Sequence, residues 1–205
     1  MKRLFSLFLL SSILVSFDKE VPKVLLYMQD GSMALEFMLL HEVGKMKQIL
    51  EQGGFEVTTA TMSGEVLSTD SVTLKPNLKL SEVKIGNYAG FIIPCMAVGD
   101  TVVTSDEINF VKKVVNEGKP LAAQLGGVYV LAKAGILNGR KYALIEDASM
   151  SPTFKGGIYS GRGVIQDGII ITSGVCPAMA KEKGYPDGTE MLTQTLIAAI
   201  KAKSK

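Results

Sequence analysis

Apolar positions fall into short uninterrupted runs separated by longer amphipathic stretches. Lys23 to Met28 (K-V-L-L-Y-M) is a continuous apolar run of strand length, the pattern of a parallel strand covered on both faces. Asp30-Gly31-Ser32 makes a turn, and from Ala34 to about Gln52 a helical period places Leu35, Leu39, Val43, Met46 and Leu50 on one stripe. Gly53-Gly54 stops that helix, and Phe55 to Thr61 alternates as a second strand. The three together make a βαβ unit, which implies a parallel sheet with right-handed crossovers.

Further along, Val66 to Ser68 and Val72 to Leu74 read as an edge hairpin, and Tyr88 to Pro94 as another buried strand. A helix begins at Ser105, a good N-cap with Glu107 in its first turn, and ends at Asn116-Glu117-Gly118. Lys141 to Ile145 is a short strand, and Gly156 to Ser160 with Arg162 to Gln166 suggest a hairpin around Gly161. Asp167-Gly168 turns into the last core strand, Ile169 to Ser173, and a closing helix runs from Thr189 to Ala202, capped by Asp187 or Thr189. This alternation predicts a three-layer α/β sandwich with a mostly parallel sheet and helices on both faces. Ligands in such sheets bind beyond the carboxyl ends of the strands, which gathers Asp30 to Glu36, Cys95 to Val98, Leu125 to Gly127 and Gly174 to Pro177 around one site.

The stretch Lys119 to Leu131 (K-P-L-A-A-Q-L-G-G-V-Y-V-L) stands at the centre of that site. A short apolar strand turns abruptly at Gln124-Leu125-Gly126-Gly127 and enters an apolar helix at once. Such a corner lifts one side chain into the strained position used for an exposed nucleophile. Here that side chain is Leu125, which has no nucleophilic atom.

The chain has 205 residues, enough for one domain with a full core, and 47% hydrophobic content with 20% charge excludes a disordered chain. Lys2-Arg3 followed by the uncharged apolar run Leu4 to Phe17 reads as an export signal over residues 1–17, leaving a single domain at 18–205. That run is shorter than the roughly 20 residues a membrane-spanning helix needs, so no membrane association is expected once the leader is removed. A buried amphipathic helix is the alternative, although the run shows no polar face of helical period. Of the net charge of +2, both excess positives are supplied by Lys2 and Arg3. The only basic run, Lys201, Lys203 and Lys205, is a short tail, and no nucleic-acid partner is expected.

No G-x-G-x-x-G follows the first strand, and neither G-x-x-x-x-G-K-[ST] nor G-x-S-x-G occurs, so dinucleotide binding, P-loop phosphate binding and serine hydrolysis lack their frames. With His41 alone and no C-x-x-C pair, no metal site and no cofactor is expected, and His41 reads as a surface or helix-packing residue.

The order of Val24 to Met28, Gly31 and Glu36, Phe91-Ile92-Ile93-Pro94, Lys119 to Ala123 with Gly127 and Leu131, and Asp167 to Ser173 resembles the ThiJ/PfpI family of the class I glutamine-amidotransferase-like superfamily. The resemblance covers nearly all the chain after the leader and implies a flavodoxin-like fold and a homodimer. It also implies a reactive cysteine at the elbow, where this chain has Leu125, and a glutamate on the first βα turn, which matches Glu36. An acid favoured by the helix dipole is the competing reading of Glu36. The family's Pro-Gly-Gly, whose amides stabilise an oxyanion, corresponds to Pro94-Cys95-Met96, and the expected histidine near Leu144 to Glu146 is missing. The family's Ser-Arg-Gly-Pro-Gly segment corresponds to Ser173 to Pro177.

The only cysteines, Cys95 and Cys176, both map to loops bordering this pocket. Three readings stand open: small buried apolar residues, a disulfide between the loops, or a relocated thiol activated by Glu36 or by helix amides. The expectation is therefore an exported, non-catalytic ThiJ/PfpI-like domain binding a small ligand or a partner at a pocket of Gly31, Met96, Leu125, Gly126 and Gly127. The alternative is a cysteine-dependent hydrolase, amidase, glyoxalase or deglycase using Glu36 with Cys95 or Cys176.

Overall fold

The structure is a computed structural model that describes residues 20–97 and 103–204. The expected export signal, at 1–17, and Val98 lie outside the described residues. Among the described residues eleven strands are formed: β1 (Lys23–Met28), β2 (Glu56–Thr61), β3 (Leu67–Ser68), β4 (Thr73–Leu74), β5 (Leu78–Lys79), β6 (Gly90–Ile93), β7 (Leu121–Gln124), β8 (Lys141–Tyr142), β9 (Ile158–Tyr159), β10 (Val164–Asp167) and β11 (Ile170–Ser173). The α-helices are α1 (Leu35–Met38), α2 (Lys45–Gln52), α3 (Ser105–Asn116), α4 (Gly126–Lys133), α5 (Pro177–Lys183) and α6 (Thr189–Lys203), and a π-helical segment, Leu39–Gly44, joins α1 to α2.

The seven-stranded main sheet has the order β10-β11-β7-β6-β1-β2-β5, with only β10 antiparallel. Its core order, β2-β1-β6-β7-β11, is that of a flavodoxin-like sheet, whose switch point lies between β1 and β6. Successive strand side chains alternate faces, so β1 sends Leu25 and Tyr27 to one layer and Val24, Leu26 and Met28 to the other. Phe110, Val111 and Val114 of α3 and Val128 and Leu131 of α4 cover the first face. Met46 and Leu50 of α2 with Leu192, Leu196 and Ile200 of α6 cover the second. This double burial is why the parallel strands read as unbroken apolar runs.

The structure departs from the sequence expectations in particular places. The hairpin expected around Gly161 is not formed: β9 pairs in parallel with β8, and β10 pairs with β11. Gly168 (φ 62) gives β10 and β11 a two-residue loop, while the backbone around Gly161 serves the β8 side, Leu144 N–H donating to the Gly161 carbonyl at 3.1 Å. The strand expected at Lys141 to Ile145 is only two residues long, because beyond Tyr142 the backbone turns to a side chain: Ala143 N–H donates to Thr172 Oγ1 at 2.8 Å. Thr104 caps α3 one residue before the expected Ser105, through a capping box in which its hydroxyl accepts from Glu107 N–H (3.2 Å) and its own N–H donates to Glu107 Oε2 (2.8 Å). Glu107 is buried and also accepts from Tyr27 Oη at 3.0 Å and Gln29 Nε2 at 3.1 Å, which ties α3 to the carboxyl end of β1. At α6, the side chain of Asp187 accepts from Thr189 N–H at 3.0 Å. The short elements β5 and α5 are not among those the apolar pattern predicts.

Candidate functional site

The elbow is built as the sequence implies. Leu125 leaves β7 at φ 35 and ψ −89, a conformation that L-residues reach only under strain. Its N–H donates to the Ser173 carbonyl of β11 at 2.8 Å, and its carbonyl receives the Val128 N–H at 3.0 Å, which starts α4. The two glycines that follow are required by contact. A Cβ on Gly126 would stand 2.7 Å from the Cys95 carbonyl oxygen, and one on Gly127 would stand 2.3 Å from that of Ile93. The helix start is thus pressed directly onto the end of β6.

Beside the elbow, the turn after β6 carries two more non-glycine residues at positive φ, Met96 (φ 53) and Ala97 (φ 44). Three such residues at the carboxyl ends of two adjacent strands concentrate strain of about 1–3 kcal/mol each at one place. The group that holds this turn is Glu42. Its side chain is fully buried, and its two carboxyl oxygens accept from Cys95 N–H and Met96 N–H, both at 2.8 Å. These are the amides that correspond to the oxyanion donors implied by the resemblance. Burial, reinforced by the neighbouring Cys176, pushes the Glu42 carboxyl well above the ordinary carboxylate range, and the two amides oppose that rise. In either protonation state both oxygens keep lone pairs for the amides, so the donors stay occupied.

Glu42 reaches this place because it lies in the π segment. One extra residue per turn rotates the helix so that Glu42 and Val43 both face inward with Met38, Leu39 and Met46. Glu36, the expected acid, lies instead on the exposed side of the first turn of α1, where the dipole favours it. The sequence offers one signal for Glu42 in retrospect: it stands three residues after Leu39 and four before Met46, within the apolar stripe. His41 is exposed, with its ring 4.4 Å from that of Phe37, a helix-packing role. Gly31 (φ 79) shapes the turn after β1.

Cys95 and Cys176 are both buried, both free thiols, and packed in one apolar cluster with Met96, with Leu125 at its border. The neighbouring Cys176, then burial and the Glu42 carboxyl, push the Cys95 thiol well up. The neighbouring Cys95 holds Cys176 below the ordinary thiol value against its burial, with help from the Met179 and Ala178 amides at the start of α5. Behind the elbow, Gln124 is buried and donates through Nε2 to the Val175 carbonyl (2.6 Å) and Thr189 Oγ1 (3.2 Å), fixing the loop that carries Cys176.

Among the described residues no group of three or more histidine, cysteine or acidic side chains is arranged to hold a metal ion, and no helix is long and apolar enough to cross a membrane. A cleft of 590 Å³ lined by Pro22, Lys23, Gly86, Tyr88 and Lys119 opens at the amino ends of β1, β6 and β7, the opposite edge of the sheet from the elbow.

A flavodoxin-like sheet with a strand-to-helix elbow between two loop ends defines the class, and comparison with known proteins defines the family. The chain belongs to the DJ-1/PfpI family, which it matches over residues 22–181. It is 31% identical over 126 residues to an uncharacterised protein of Archaeoglobus fulgidus, covering 60% of this chain and 75% of that one. It is 28% identical over 121 residues to a deglycase of Thermococcus kodakarensis, covering 58% of this chain and 69% of the relative. Among solved structures, the ThiJ/PfpI domain protein of Brachyspira murdochii superposes with a TM-score of 0.68 at 15% identity, covering 88% of this chain and 96% of that one. Drosophila melanogaster DJ-1beta superposes with a TM-score of 0.57 at 23% identity, covering 89% and 96%.

Proposed function

We propose that this protein is an exported, non-catalytic DJ-1/PfpI domain that acts by binding a small ligand or a protein partner, as a homodimer. One observation carries the reading: the amides of Cys95 and Met96 are already occupied by the chain's own Glu42 carboxyl, both at 2.8 Å. A substrate oxyanion would have to displace a buried group held by two hydrogen bonds before it gained either donor. Leu125 at the elbow and the lack of a histidine near Leu144 to Glu146 support the same reading, since neither a nucleophile nor a base stands where acyl or aldehyde chemistry needs one. Export rests on the residue pattern of the leader, and the homodimer on the family resemblance.

The second reading, a cysteine-dependent deglycase, glyoxalase or amidase, is favoured by the lowered Cys176 thiol and by relatives bearing the name deglycase, among them that of Pyrococcus furiosus at 27% identity. Turnover assays on amide, glycated-amine and dicarbonyl substrates separate the two. The proposal requires rates at the uncatalysed background for wild type and for Cys95→Ala and Cys176→Ala alike. Wild-type turnover abolished by either substitution establishes the second reading.

A further inference from the structure

The cleft at the amino edge of the sheet is built by strand register. Lys23 stands one residue before the β1–β6 pair of Val24 and Gly90, and Lys119 two residues before Leu121, which pairs with Phe91 of β6. Lys23, Ala89 and Lys119 therefore fall in one row across three neighbouring strands, tied by Ala89 N–H donating to the Lys23 carbonyl (2.7 Å) and Phe91 N–H to the Pro120 carbonyl (3.0 Å). Strand residues two apart share a face, so Lys23 goes with Leu25, Thr58 with Ala60 and Lys119 with Leu121, all on the face that α3 and α4 cover. The two lysines stand two strand spacings apart, about 9.6 Å. Between them the row holds only the small Ala89, with Gly86 close before it, and this contrast of long and small side chains opens the 590 Å³ cleft.

The charges inside it are not matched. Lys119 is half-buried, and its ammonium donates to the Tyr88 carbonyl at 2.8 Å. Among the described residues no carboxylate lies within 4 Å of that ammonium. A carbonyl takes up one of its three protons and none of its charge. Lys23 meets Glu56 at 3.2 Å, but both side chains are open to solvent, and a surface pair of this kind is weak enough for a better placed anion to replace it. Of the lining residues only Glu20 is acidic, and it is exposed. The volume lies within the range of about 300–1,000 Å³ used by small-molecule sites and is far more than a bare inorganic ion fills.

We infer that this cleft binds a small hydroxylated anion, a carboxylate or a phosphate ester, whose charged group lies between the ammonium groups of Lys23 and Lys119 and whose polar body meets Thr58 and Asn87. Lys119 is the anchor, because its ammonium is already held in place by the Tyr88 carbonyl and gains the counter-charge it lacks. Lys23 closes on the ligand by turning from Glu56. The hydroxyl of Thr58 and the amide of Asn87 offer both donors and acceptors, which suits a body carrying hydroxyl groups rather than an apolar one. The site lies at the opposite edge of the sheet from the elbow, so it stands whether or not the elbow binds or turns over anything.

The test is a titration of the isotope-labelled protein followed by amide NMR, with gluconate in one arm, glucose monophosphate in another, and sodium chloride at equal ionic strength as the control. The two probes share a hydroxylated body and differ in the anion, so the arm that saturates identifies the charged group. Saturable shifts should centre on the amides of Gly86, Asn87, Ala89 and Lys119 and be missing from the chloride arm. Lys119→Met should weaken binding about tenfold or more, the scale of one hydrogen bond to a charged group, while Lys119→Arg, which keeps the cation, should retain it. Shifts that grow without saturation in both arms, that the chloride control reproduces, or that survive unchanged in Lys119→Met overturn the proposal. If Lys119→Met does not fold, Lys23→Met takes its place, and the wild-type shift map by itself separates a site at this cleft from none.

Discussion

Removing Glu42 should destabilise this protein far more than removing Glu36, although both acids lie in the first helical stretch. Glu42 is fully buried and satisfies two buried amides, those of Cys95 and Met96. Each buried donor left without an acceptor costs about 1–3 kcal/mol, so Glu42→Ala exposes the fold to a loss of about 2–6 kcal/mol. Part of this is offset, because the substitution also removes a carboxyl group whose desolvation is unfavourable. A net loss of about 3 kcal/mol is expected, a large share of the about 5–15 kcal/mol typical of a domain. Glu36 is exposed, and Glu36→Ala should stay within about 0.5 kcal/mol of wild type. Equilibrium denaturant unfolding reads both as a change in midpoint at unchanged slope. The pH dependence adds a second readout. The folded-state carboxyl of Glu42 is raised, so the native state binds its proton more tightly than the unfolded chain. Its stabilising contribution is complete below the ordinary carboxylate range and is lost as pH rises through the raised value. Glu42→Gln, with one acceptor and one donor, should lose less than Glu42→Ala and should abolish that slope. Equal midpoints for Glu42→Ala and Glu36→Ala would refute the placement of Glu42 on the two amides.

Other substitutions probe neighbouring parts of the account. Gly127→Ala puts a methyl group 2.3 Å from the Ile93 carbonyl oxygen and should cost about 1–3 kcal/mol, read by the same unfolding assay. Tyr142→Phe removes a buried hydroxyl that has no hydrogen-bond partner among the described residues and should be neutral or stabilising by about 1 kcal/mol; a clear loss in thermal midpoint would reveal a partner for that oxygen. Leu125→Cys restores a thiol to the elbow but not its oxyanion donors, and turnover on dicarbonyl and amide substrates should remain at background.

The strands of the sheet were readable because burial on both faces writes them as continuous apolar runs: β1 as V-L-L-Y-M, β6 as G-F-I-I and β11 as I-I-T-S. The elbow was readable for a local reason, since A-A-Q-L-G-G places two small residues where α4 must press against β6. Glu42 was not, because a regular helical period carries Glu36 toward the turn after β1, and the π segment that turns Glu42 inward has no strong local signature. The pairing of β8 with β9 was equally hidden, being set by tertiary hydrogen bonds such as that from Ala143 N–H to Thr172 Oγ1. The shared position of Cys95 and Cys176 followed from their places after β6 and β11, while their state as buried free thiols required coordinates.

The central claim, that the chain's own carboxyl closes the oxyanion amides, is tested most directly by hydrogen exchange at Cys95 and Met96 resolved by NMR. An amide held in a buried hydrogen bond exchanges only through opening of the structure, so both should be strongly protected in wild type and in Glu36→Ala. Both should lose protection in Glu42→Ala, while core amides such as Leu25 and Ile92 keep theirs. Rapid exchange of Cys95 and Met96 in the wild-type protein would show the donors open to solvent and would contradict the account.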